Sequence, residues 1–184
     1  MNKEESIAYL KEVTRSIEDY PKEGIVFRDL TTVFQDRKAM EIVTDLLTAS
    51  IGENHLEISY DKLVAIEARG FVLAGAISGR VGGGIVMVRK EGKLPSKKLK
   101  VEYQLEYGSD ALEIHEDAII PGERVVVIDD LLATGGTAEA GCKLVESLGG
   151  IVEKILFLVE LPELKGRERL AGYNIEAIYA FEGA

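Results

Sequence analysis

Three short apolar runs set the tightest limit on how this chain folds: Leu63-Val64-Ala65-Ile66, Ile85-Val86-Met87-Val88 and Val125-Val126-Val127-Ile128. A fourth candidate spans 151–159. The first three do not alternate polar with apolar, so strands made from them have no wet face and must be covered on both sides. Helical patterns lie between the runs, at 71–80 and at 137–148, the second ended by Gly149-Gly150. Buried strands alternating with helices predict an α/β fold with a central parallel β-sheet flanked by helices. Upstream, Ile7, Leu10, Val13 and Ile17 predict a helix over 6–17. Ala39, Ile42, Val43, Leu46 and Leu47 predict another from 36 to about 51, with Asp36 as N-cap. A short helix is expected at 165–170 and a last strand at 174–180. Residues 89–113 carry no continuous helical pattern and read as a long, partly β-structured excursion, of the kind usually kept for function.

The bulk numbers narrow the class. The 184 residues suit one domain, and 46% hydrophobic content suffices for a core without disulfides. With one cysteine, Cys142, no intramolecular disulfide forms, and its mid-helix position predicts a small packed side chain. No run reaches the roughly 20 apolar residues of a membrane span. Met1-Asn2-Lys3-Glu4-Glu5 is polar and acidic, unlike a secretion signal, so a cytoplasmic protein without a membrane partner is expected. A formal net charge of −10 argues against a nucleic-acid partner. Against that background Arg89, Lys90, Lys93, Lys97, Lys98 and Lys100 cluster, which suggests a small anionic ligand. His55 and His115 show no metal-binding spacing.

The most informative stretch is Ile128-Asp129-Asp130-Leu131-Leu132-Ala133-Thr134-Gly135-Gly136-Thr137. Two glycines let the backbone turn tightly against a ligand, and the helix that follows presents unpaired N–H groups. With the hydroxyls of Thr134 and Thr137, residues 133–137 make a socket for a monophosphate. The Gly-x4-Gly-Lys spacing of a P-loop is absent. Asp129 and Asp130 repel each other unless a partner is supplied, and a ribose diol or a hydrated Mg²⁺ would serve. Phosphate beside carboxylates suggests a ribose 5-phosphate.

This stretch resembles the phosphoribosyl pyrophosphate (PRPP) signature of type I phosphoribosyltransferases, in the variant of their adenine-using members. Residues 20–29, Glu67-Ala68-Arg69-Gly70-Phe71, residues 88–95 and Leu105-Glu106-Tyr107-Gly108 resemble further segments of that family, in the family's order. The resemblance implies transfer of the phosphoribosyl group of PRPP to N9 of adenine, giving AMP and pyrophosphate, with Mg²⁺ held through substrate and water and no dedicated protein ligands. It implies a homodimer, and a single domain. In that domain a base-binding hood (roughly 1–35 plus 158–165) sits on a core (36–157 and 166–184). Ala133, Thr134, Gly135, Gly136 and Thr137 would take the 5-phosphate, and Asp129 and Asp130 the ribose and Mg²⁺. Glu67, Ala68, Arg69, Gly70, Arg89, Lys90 and Lys93 would face the pyrophosphate, some acting across subunits. Glu106 and Tyr107, on a mobile loop, would handle the proton. Ile25, Val26, Phe27, Arg28 and Leu161 would line the base pocket, with main-chain groups near Val26 and Arg28 reading the base edge. No lysine follows Glu160-Leu161-Pro162 until Lys165, which favours adenine over a 6-oxopurine. The alternatives are another purine acceptor, or a PRPP-sensing regulator, which would need a basic face.

Overall fold

The computed structural model describes residues 1–52, 60–104 and 109–183. In chain order the elements are α1 (Lys3–Val13), β1 (Arg15–Ile17), β2 (Phe27–Asp29), α2 (Thr31–Gln35), α3 (Arg37–Ile51), β3 (Lys62–Ile66), α4 (Arg69–Val81) and β4 (Gly84–Lys90). There follow β5 (Lys98–Gln104), β6 (Ser109–His115), β7 (Arg124–Leu132), α5 (Gly136–Ser147), β8 (Ile151–Glu160), a 3-10 turn (Pro162–Leu164), α6 (Gly166–Arg169) and β9 (Ile175–Ala180). The large sheet has the order β5-β6-β4-β3-β7-β8-β9. Its β4-β3-β7-β8-β9 portion is parallel, as the apolar runs predict, and the β5-β6 hairpin extends it antiparallel through β4. A two-stranded antiparallel ribbon, β1-β2, stands apart from it.

Both faces of the inner strands β3, β7 and β8 are buried, whereas β4 leaves Ile85 and Met87 exposed on one face, contrary to the sequence expectation. Leu63, Ala65, Val126, Ile128, Leu156 and Leu158 pack towards α1–α4, and Leu10, Leu30 and Val43 are fully buried among them. The alternate residues Val64, Ile66, Val125, Val127, Ile155 and Phe157 pack towards α5 through Ala138, Cys142, Leu144 and Val145. This two-sided burial explains why these strands lack polar alternation. Cys142 is buried as expected, and burial pushes its thiol up to about 12. Among the described residues no helix is long and apolar enough to cross a membrane.

Two boundaries differ most from the sequence expectation. The first helix starts earlier and stops at Val13, so Ile17 lies in β1 instead. Asn2 and Glu5 form a reciprocal capping box that opens the helix one turn sooner. At the other end Thr14 Oγ1 and the Thr14 N–H both donate to the Leu10 carbonyl, at 2.7 and 3.0 Å, and the backbone turns extended. The second difference is in β7, which runs through the acidic pair to Leu132 because β8 stays paired with it as far as Glu160. Asp36 caps α3 as expected, its Oδ1 accepting the Ala39 N–H at 2.6 Å.

Gly70 sets how closely α4 approaches β7. A Cβ there would lie 2.7 Å from the Ile128 carbonyl oxygen, a backbone atom that cannot yield without moving the strand. Gly75, on the same helix, faces open space. Gly70→Ala is therefore expected to destabilise the protein by ~1–3 kcal/mol through overpacking. Gly75→Ala should stabilise it by ~0.5–1 kcal/mol through helix propensity. Urea denaturation of both variants checks the pair, and equal effects would contradict the close approach.

Candidate active site

The parallel strands β3, β4, β7 and β8 release their carboxyl ends on one edge of the sheet, where ligands of such sheets bind. Each of those ends carries residues singled out from the sequence. After β3 come Glu67, Ala68, Arg69 and Gly70, with the Glu67–Ala68 peptide cis. Arg89 and Lys90 end β4, and Lys93 follows in the next turn. The end of β7 bears Asp129 and Asp130, and beyond it Ala133-Thr134-Gly135 leads into α5, which contains Gly136 and Thr137. Leu161 follows β8 and is buried.

Asp129 and Asp130 are both buried. Burial raises the Asp129 carboxyl well above the usual range, and the neighbouring Asp130 charge adds to the rise. Burial also raises Asp130, and the Arg69 guanidinium opposes that rise. Arg69 Nε lies 2.7 Å from Asp130 Oδ2. Glu67, two residues from Arg69 in the chain, is committed elsewhere. Its two oxygens take Arg89 Nε and Nη2, each at 3.2 Å, and Oε2 also accepts the Lys90 N–H at 2.9 Å. Burial alone would raise Glu67, but the Lys90 N–H and Arg89 together hold it below the ordinary carboxylate value. The result is two adjacent pairs, Arg69–Asp130 and Arg89–Glu67, joining the ends of β3, β4 and β7.

Arg69 Nε approaches Asp130 Oδ2 without a well-directed hydrogen bond, and the buried Arg28 Nε donates to no acceptor among the described residues. Buried polar atoms are normally satisfied, so groups left open at a strand end point to a ligand. The Oδ2 suits a donor such as a ribose hydroxyl or a metal-bound water. Among the described residues no cluster of three or more His, Cys, Asp or Glu is arranged to hold a metal.

The turn into α5 depends on Gly135, whose φ of +81° favours glycine and which serves as the N-cap without a side-chain hydrogen bond. The first N–H groups of this twelve-residue helix are therefore left to other acceptors. Behind the turn, α6 packs so close that a Cβ on Gly135 would come within 2.8 Å of the Gly166 carbonyl oxygen. The Leu161 N–H donates to the Leu132 carbonyl at 2.9 Å, fixing the end of β8 to the start of the turn.

Sequence reasoning missed the partners that orient Lys90. Its ammonium lies 3.2 Å from Asp110 Oδ2, and the same oxygen accepts Tyr103 Oη at 3.3 Å. Tyr103 and Asp110 are cross-strand partners on β5 and β6, and the Tyr103 hydroxyl also meets the Thr137 side chain. Asp110 raises Lys90 above the ordinary lysine value. Only the register of the hairpin brings these residues together, and the linear sequence carries no mark of it. Glu106 and Tyr107, and likewise His55, lie outside the described residues. Ile25, Phe27 and Arg28 lie on or beside the β1-β2 ribbon, where the Phe27 ring meets Tyr20 edge-on at 5.3 Å.

Comparison with known proteins gives one consistent match. The phosphoribosyl transferase domain family matches residues 31–173. An adenine phosphoribosyltransferase of Cereibacter sphaeroides is 49% identical over 176 residues, covering 95% of this chain and 97% of the relative. The crystal structure of adenine phosphoribosyltransferase from Thermoanaerobacter pseudethanolicus superposes with a TM-score of 0.88 at 49% identity, covering 95% of this chain and 99% of that one. The Saccharomyces cerevisiae enzyme, solved with an imino-altritol bisphosphate and adenine, gives 0.89 at 34% identity over the same shares. Similar to these proteins over nearly its whole length, the chain belongs to the phosphoribosyltransferase family and, within it, to the adenine phosphoribosyltransferases.

Proposed function

We propose that this protein transfers the 5-phosphoribosyl group of PRPP to N9 of adenine, releasing pyrophosphate and forming AMP, as a purine-salvage enzyme of the cytoplasm. The observation that carries this reading is the buried pair Asp129–Asp130, with Arg69 Nε 2.7 Å from Asp130 Oδ2, directly before the glycine turn of α5. Two buried carboxylates are costly to keep, and a ribose diol or metal-bound waters would satisfy both. Crystallisation of the yeast relative with adenine supports the choice of acceptor.

In this reading residues 133–137 hold the 5-phosphate through main-chain N–H groups and the two threonine hydroxyls. Arg69, Arg89, Lys90 and Lys93, with the 67–70 turn, hold the pyrophosphate and neutralise the charge that grows on it as the glycosidic bond breaks. Asp129 and Asp130 would hold a hydrated Mg²⁺ through its waters, and the ion would help neutralise the charge of the pyrophosphate oxygens. Residues 1–35 with 158–165 form the hood over the base. Ile25, Val26, Phe27 and Leu161 enclose the base, and main-chain groups at Val26 and Arg28 read its edge. Glu106, with Tyr107 beside it, accepts the N9 proton as the new bond forms. Holding both reactants in line and excluding water supplies the rest of the acceleration. The working unit is a homodimer: Ile85 and Met87, 38% and 51% exposed on one face of β4, offer an apolar surface for a second copy.

Incubation with PRPP, Mg²⁺ and a panel of purines is expected to give AMP from adenine and little product from hypoxanthine, guanine or xanthine. Preferred reaction of an oxopurine would overturn the acceptor assignment. Asp129→Asn combined with Asp130→Asn should abolish turnover and yet raise unfolding stability at neutral pH by ~0.5–2 kcal/mol. The folded-state carboxyls titrate above their unfolded value of about 4, so the wild type loses stability as pH rises past that value. The advantage of the double variant should therefore grow from about pH 4 upwards and shrink below it, as thermal unfolding across pH would show. Glu106→Ala should lower kcat far more than it raises KM for PRPP; an unchanged kcat removes Glu106 from the proton transfer.

A further inference from the structure

The main chain of Arg28 faces the base in the proposed reaction, yet its side chain makes a longer-range connection. The guanidinium carbon sits 4.5 Å from the centre of the Phe181 ring. Its Nη2 donates to the Gly183 carbonyl at 3.2 Å and to the Glu182 carbonyl at 3.4 Å, while Nη1 donates to Ser16 Oγ at 2.6 Å. From the other side, the Phe181 N–H donates to the Glu160 carbonyl at 3.0 Å, and the Gly183 N–H donates to Glu163 Oε1 at 2.8 Å. Phe181 also meets Tyr179 edge-on at 5.8 Å, and Tyr179 Oη lies 3.1 Å from Thr14 Oγ1, just before β1. Residues 181–183 thus touch both the β1-β2 ribbon and the turn after β8.

Those are the two walls of the proposed base pocket, and any role of residues 181–183 in base binding rests on that proposal. The ribbon is a weak wall by itself. Its strands have three residues each, and an isolated two-stranded ribbon is marginal in water. Arg15 and Asp29 fasten one end, at 2.5 Å. Reading a base edge with main-chain groups needs placement within about 0.5 Å. We infer that residues 181–183 clasp the two walls of the acceptor pocket, and that Phe181 is a positioning residue that sets affinity for the purine without touching PRPP. Phe181 holds the Arg28 guanidinium by cation–π attraction, and Arg28 in turn fixes the backbone that meets the base. The clasp binds no substrate itself.

The test uses full-length Phe181→Ala, Phe181→Leu and Glu163→Gln, with thermal unfolding to show that each is folded. Phe181→Ala is expected to raise KM for adenine by about tenfold, with KM for PRPP changed less than about twofold. Phe181→Leu, which keeps apolar packing but not the π face, should fall between it and the wild type. Glu163→Gln, at the opposite anchor and away from the substrates, should raise KM for adenine by about two- to threefold; it carries the test if the Phe181 variants fail to fold. Unchanged adenine KM in folded variants, or equal rises for adenine and PRPP, would overturn the clasp alone. A wild-type protein that forms no AMP would overturn the acceptor assignment, and the clasp with it.

Discussion

Two carboxylates buried side by side at the end of β7 are the constraint on which the surrounding architecture depends. Nothing in the fold requires them there, and they oppose stability. Their surroundings limit the cost: the Asp130 N–H donates to Asp129 Oδ1 at 2.9 Å, and Arg69 reaches Asp130 from the first turn of α4. Arg69 can do so because Gly70 lets α4 settle against the Ile128 carbonyl. The glycine is therefore part of the electrostatics of the site as well as of its packing. A side chain at position 70 would move the helix end that carries the compensating charge.

The second requirement is that separate strand ends keep fixed relative positions. Hydrogen bonds between adjacent strands secure this within the sheet, and side-chain pairs secure it beyond. Glu67–Arg89 links β3 to β4, and Lys90–Asp110–Tyr103 links β4 to the hairpin and, through Thr137, to α5. Both links are half-exposed at most on the carboxylate side, so salt screens them less than it would a surface pair.

Much of this architecture was legible in the sequence. Uniformly apolar runs marked β3 and β7 because double-sided burial removes polar alternation, and Asp36 marked the start of α3 because capping is local chemistry. In β4 the same texture has one exposed face, that of Ile85 and Met87. The glycine turn after β7 was equally plain, since its function needs particular residues next to one another. What could not be read depended on register or on distant contacts. Tyr103 and Asp110 meet across a hairpin, and Arg28 reaches residues more than 150 positions away. The end of α1 departs from its pattern for a different reason. Ile17 continues the helical spacing, but the Thr14 hydroxyl competes for the Leu10 carbonyl, and a hydrophobic pattern does not register such competition. The partner of Glu67 was equally hidden: strand adjacency gives it Arg89, 22 positions away.

The paired state of the cations governs how any anion enters this cleft. Arg69, Arg89 and Lys90 each already face a carboxylate of the protein. An incoming phosphate oxygen does not find bare positive charge; it displaces or shares an existing partner. Such an exchange yields only the difference between two ionic contacts, which tempers affinity. In return, the side chains are already held in place, so little rotamer freedom remains to be lost. A cleft built this way behaves like a seat kept in shape by its own occupant. In the proposed reaction it would take up a highly charged molecule and let the charged fragments go again, because the protein's carboxylates stand ready to reclaim their partners.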